Sequence, residues 1–114
     1  MKNPPYYSLP GMLSANQIAV TKEYGISFNT LFCGKTAPKV KARHVLYLLD
    51  FLKGDTQTAI AKRYGAPRST VTHAIIRMKE ELFYYKPFSV ELGGICGGLG
   101  LSKEFNELYQ SIMN

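Results

Sequence analysis

The run TQTAIAKRYGAPRSTVTHAI, residues 56–75, leaves few folds open, because it matches two short amphipathic helices crossing at a tight turn. Ala61 is small where the second helix must pass close to the first. Gly65 stands where the first helix must end, and a left-handed backbone there suits glycine. Ile60, Tyr64, Val71 and Ile75 are apolar at the positions that pack beneath the pair. Pro67 fits the opening of the second helix, where a first-turn N–H has no intrahelical use. That helix then begins Arg68-Ser69-Thr70, three polar side chains pointing away from a core. A helix N-terminus offered to solvent in this way is what a helix-turn-helix presents to the major groove of DNA. The pattern predicts that motif over about residues 56–85.

The distribution of charge points the same way. Between Lys35 and Lys79 there are ten Lys or Arg against two Asp, whereas the rest of the chain carries four basic and six acidic residues. The net charge of +6 is therefore concentrated on the segment holding the paired helices, as expected of a polyanion-binding surface. At 114 residues the length fits one domain with a modest core, and apolar content of 46% fits an ordered globular chain. Cys33 and Cys96 are far apart and have no zinc-ligand spacing, which suits a reducing compartment. The opening MKNPPYYSLPGML has no continuous apolar run, and no stretch reaches membrane-spanning length. The expected location is the cytoplasm, without membrane contact.

Along the chain, residues 1–13 read as an irregular N-terminal arm, followed by a single helical DNA-binding domain over 14–114. Ser14 with Gln17 forms a capping-box pattern that opens a helix through about Tyr24, which Gly25 ends. Ile18 is expected to face inward, with Val20 or Ala19 beside it. Ser27 opens a short turn contributing Phe28, Leu31 and Phe32 to the core. From about Val40 to Lys53, Val45, Leu48, Leu49 and Leu52 repeat with helical spacing and mark the central buried helix. The helix from about Pro67 to Tyr85 carries the apolar stripe Val71, Ile75, Met78 and Leu82. Residues 87–101, KPFSVELGGICGGLG, read as a Gly-rich loop with at most a brief extended piece. Ser102 caps a closing helix over 102–113 with Phe105, Leu108, Tyr109 and Ile112 on one face. The fold class expected is all-α, a compact bundle of five or six helices.

Several segments taken together resemble the C-terminal DNA-binding domain of the bacterial replication initiator DnaA, in the same broad group as the tryptophan repressor. QIAVTKEYGISFNTLFCGK looks like that family's opening helix and turn, and VKARHVLYLLDFL like its long central helix, with Ala42-Arg43 matching an Ala-Arg pair. AIAKRYG and STVTHAIIRMKEEL follow in order, and LSKEFNELYQSIM resembles the closing helix. The likeness covers about residues 15–86 and the tail, without any ATPase module. It implies that Arg43, with Lys35, Lys39 and Lys41 in and beside the basic loop, contacts the minor groove and phosphates. Ser69 and Thr70 match the family's threonine pair and His73 its later histidine. Pro67 and Arg68 stand where the family has aspartate and histidine, so the resemblance implies a different sequence preference from the initiator's own box.

The expected DNA-binding set is thus Lys35, Lys39, Lys41, Arg43, Lys62, Arg63, Arg68, Ser69, Thr70, Thr72, His73 and Arg77. Arg68 at the helix tip is placed for a bidentate contact to guanine, and Ser69, Thr70 and Thr72 for phosphate or base contacts. His44 and His73 have no Cys, Asp or Glu partner at helical ligand spacing and read as structural or phosphate-contacting. Gly34-Lys35-Thr36 ends like a phosphate-binding loop, but Asn29 occupies the position of the first glycine. No catalytic, metal or cofactor set is expected, and no small-molecule substrate. The function expected is sequence-specific binding of double-stranded DNA in transcriptional or replication-associated regulation. The alternatives are a protein-interaction module on a degenerate version of the fold and a structured-RNA binder. Homodimerisation is left open, the Pro/Tyr arm and the Gly-rich segment being the candidate surfaces.

Overall fold

In the computed structural model, which describes residues 13–114, the chain begins with the capping box that Ser14 and Gln17 spell. The Ser14 hydroxyl accepts from the Gln17 amide at 3.1 Å, and the Ser14 amide donates to Gln17 Oε1 at 3.0 Å. Helix α1, Ala15–Tyr24, follows, then α2, Phe28–Leu31, and α3, Ala37–Lys53. Next come α4, Gln57–Tyr64, and α5, Arg68–Tyr84. The chain closes with α6, Lys86–Gly98, and α7, Ser102–Met113. The described residues are all-helical, with no strand. The expected arm lies outside them, apart from Leu13, which packs against the core.

Helix α3 runs through the centre, packed on α1, α4 and α5. Of the stripe expected from the spacing it buries Val45, Leu48 and Leu49, with Leu52 only half-buried, and it buries Leu46 and Tyr47 besides. Truncating a buried leucine such as Leu48 to alanine costs about 2–5 kcal/mol. The helix starts at Ala37 rather than near Val40, because Pro38 in its first turn needs no hydrogen bond for its nitrogen. Helices α4 and α5 meet as expected: Ile60, Ala61, Tyr64, Val71 and Ile75 are buried, and Gly65 ends α4 at φ +64°. Thr56 caps α4 by accepting from the Ala59 amide at 3.1 Å.

Three expectations are corrected. The residues 87–101 read as a loop form helix α6 over most of their length, which raises the helix count to seven among the described residues. Phe88, Leu92, Ile95 and Cys96 are all buried, a helical spacing that the glycines obscure. Each interior glycine costs about 1 kcal/mol relative to alanine, so burial of this stripe against α5 and α7 holds the helix. Gly93 also has a packing reason: a Cβ there would lie 3.3 Å from the Phe105 ring of α7. The second correction concerns α1. Ile18 is 51% exposed, and Asn16, Gln17 and Val20 take the inward positions. Two of those three are polar because they hydrogen-bond to Asp50 and Tyr64, so α1 has no apolar stripe to read. At α7, Leu101 rather than Ser102 occupies the capping position, and no side chain caps the helix.

Candidate functional site

The α2–α3 loop is folded against the start of α3 by two of the expected cations. Arg43 Nη2 donates to the Gly34 carbonyl at 2.8 Å, and Lys39 Nζ donates to the Cys33 carbonyl at 3.1 Å. One guanidinium bond and one ammonium bond are used in this way, leaving other N–H donors on both groups. Lys35 stands exposed in the same loop. Facing these residues is the first turn of α5. A cleft of about 240 Å³ is lined by Lys35, Val40, Arg43, His44 and Tyr47 on one side and Thr70 on the other. No carboxylate is in that lining.

Burial, followed by the charges of Arg43 and Arg77, holds His44 below its ordinary value of 6.5. The cleft is therefore a cation-rich, partly desolvated place in which a neutral imidazole sits beside permanent positive charge. The effect of Arg77 on His44 puts that α5 arginine within electrostatic reach of the same cleft. Along α5, Arg68, Ser69, Thr70, His73 and Arg77 are exposed, and Lys62 is exposed on α4.

Three members of the expected set are committed elsewhere. Lys41 Nζ lies 3.1 Å from Glu81 Oε2 and 3.8 Å from Glu91 Oε2, and 4.6 Å from the centroid of the Phe88 ring. Its charge is directed to α5 and α6, away from the loop that holds Lys35. Glu81 of α5 is half of this pair. Arg63 Nη1 bridges Asp50 Oδ2 at 2.8 Å and Asp55 Oδ2 at 2.7 Å. Asp50 also accepts from Asn16 at 2.9 Å and from the Tyr64 hydroxyl at 2.7 Å. That hydroxyl accepts in turn from Gln17 at 3.1 Å. Asn16, Gln17, Asp50, Asp55 and Arg63, with Ser14 and Lys53, line a second cleft of about 250 Å³ where α1, α3 and α4 meet. Burial and then the Asp50 charge raise the Tyr64 hydroxyl above its usual range, so it stays a donor. Finally, the Thr72 hydroxyl donates to Gln57 Oε1, tying the second turn of α5 to the first of α4.

Gln57 is the residue that the sequence reading missed, and only its place at the start of α4 could have marked it. His44, expected to be structural or phosphate-contacting, lines the cleft beside Arg43. Among the described residues no group of three His, Cys, Asp or Glu is placed to hold a metal, and no helix is long and apolar enough to cross a membrane. Comparison of the chain with known protein families, curated proteins and solved structures finds no match.

Proposed function

We propose that this chain binds double-stranded DNA sequence-specifically, with α4 and α5 acting as a helix-turn-helix. In this reading the N-terminal turns of α5 enter the major groove. Arg68 and Ser69 are nearest the bases, and Lys35, Lys39 and Arg43 lie along the adjacent backbone or minor groove. The observation that carries it is the carboxylate-free cleft joining the basic loop and α3 to Thr70 at the start of α5. Backbone phosphates and a groove floor present acceptors at the spacing of a helix and its neighbouring loop. The likeness to the DnaA C-terminal domain supports the same reading and suggests a cytoplasmic role in transcription or replication-associated regulation. Lys41, Arg63 and Thr72 act in it as supports of the surface, not as contacts.

Selection from a random duplex library at near-physiological salt tests the proposal. The expected result is an enriched motif bound at least about a thousandfold more tightly than a scrambled duplex. A library with no enriched motif overturns it. Preference for structured RNA over duplex in direct competition would reassign the surface to RNA, and weak sequence-blind binding would leave an interaction module.

A further inference from the structure

The outward side of α5 contains one exposed aliphatic residue, Ile76, with polar residues on its N-terminal side and exposed Phe83 seven residues beyond it. Val71, Ala74, Ile75, Met78 and Leu82 form the buried stripe of the helix. On the opposite side Ser69, His73 and Ile76 succeed one another at helical spacing, all exposed, with Ile76 at 47%. A single exposed isoleucine ordinarily needs no explanation. Here it lies seven residues beyond Ser69 on the face that the proposed function turns toward the bases, with exposed Arg77 next to it. The helical period turns it outward, since Ile75 already fills the inward position beside it.

The major groove offers an aliphatic side chain one feature to recognise, the 5-methyl group of thymine; every other base-edge feature there is a hydrogen-bond donor or acceptor. We infer that Ile76 is a specificity-determining residue that packs on a thymine methyl in the bound duplex. The inference rests on the proposed function and adds a named base feature to it. Seven residues of helix span about 10 Å, which is about three base-pair steps along the duplex. The thymine therefore lies within about three base pairs of the position that Ser69 overlies. A methyl contact also distinguishes Ile76 from its neighbours chemically: Arg68, Ser69 and His73 discriminate by hydrogen bonds and are indifferent to that group.

The test replaces each thymine of the selected duplex in turn by deoxyuridine, which deletes only the methyl, and measures Kd for the wild type and for Ile76→Ala and Ile76→Val. The wild type should lose about fourfold at one such position, the worth of one buried methyl group. Ile76→Ala should bind the parent duplex more weakly by a similar factor and show no difference between thymine and uracil there. Ile76→Val should retain part of the discrimination. Because the residue is exposed, unchanged melting of both variants checks that the fold is intact. A wild type indifferent to every methyl overturns the inference while leaving specific binding in place, as does Ile76→Ala that keeps the full discrimination. Failure to recover any duplex motif overturns both the inference and the function on which it rests.

Discussion

The two ends of α5 meet opposite chemistry. At its start, Thr70 faces Lys35, Arg43 and His44 across a cleft without a carboxylate in its lining. Toward its end, Glu81 draws Lys41 from α3 into an ion pair that Glu91 extends. Lys41 and Arg43 are two residues apart on one helix, yet one charge is held in a partly exposed ion pair and the other remains at the rim of a cationic cleft. Net charge in a segment counts both alike. Only the unpaired part can release counterions from a polyanion. The positive character of this chain is therefore more localised than its sequence suggests.

The comparison is broken most severely by attacking a fully paired cation. Asp50→Ala removes the acceptor of Arg63, Asn16 and Tyr64 at once. The expected loss is about 2–4 kcal/mol in denaturant unfolding, since the buried Asn16 amide and Tyr64 hydroxyl lose their acceptor while Arg63 keeps Asp55. A loss below about 1 kcal/mol would show that the network is dispensable. Next in size is Arg68→Ala, which should cost about 1–3 kcal/mol at one base position and relax preference there, read from competition among single-base variants of the selected site. An equal loss on all sequences would reassign Arg68 to phosphate.

A finer contrast sets Lys39 against Lys41. Lys39→Ala should flatten the dependence of log K on log salt by about 0.9, the share of one phosphate contact. Lys41→Ala should leave that slope alone and lower stability by no more than about 1 kcal/mol, as its pair is partly exposed. Identical slope changes in the two variants would dissolve the distinction between the ends of α5.

The smallest effect is a proton. His44 is held below 6.5 by burial and by Arg43 and Arg77, so it is largely neutral near pH 7. A phosphate in the cleft offsets those cations and favours the imidazolium, so binding takes up a proton and affinity rises as pH falls below 6.5. Stability has the opposite sign. The unfolded chain accepts this proton first, so the contribution of His44 is whole above 6.5 and is lost as pH drops toward the folded value. Titrating Kd from about pH 7.5 to about pH 5.5 should give a steeper gain in affinity for the wild type than for His44→Gln. Parallel curves would remove phosphate from the vicinity of this histidine.

What the sequence makes legible follows the range of the interaction. Caps and turns such as Ser14 with Gln17 and Gly65 are local, and each stands where its residues indicate. The stripes of α3 and α5 are legible for the same reason, because burial repeats within one element. Helix α6 is not, since glycine propensity argues against a helix that only contacts with α5 and α7 sustain. The fates of the cations are hidden more deeply. Arg63 meets Asp50 from thirteen residues away, and the spacing on α4 gives no hint of it. Tyr24 of α1 likewise donates to Glu91 on α6, across most of the chain. Charges whose partners arrive through tertiary packing look free in one dimension.

The two thiols divide along similar lines, with a practical consequence. Cys96 is buried, and burial followed by the Glu104 charge pushes its thiol up to about 11, so it resists alkylation while the fold holds. Cys33 is exposed in the loop whose carbonyl holds Lys39. The native chain thus carries one addressable attachment point at the edge of the basic cleft, and a fluorophore coupled there would report occupancy of that surface without any engineered cysteine.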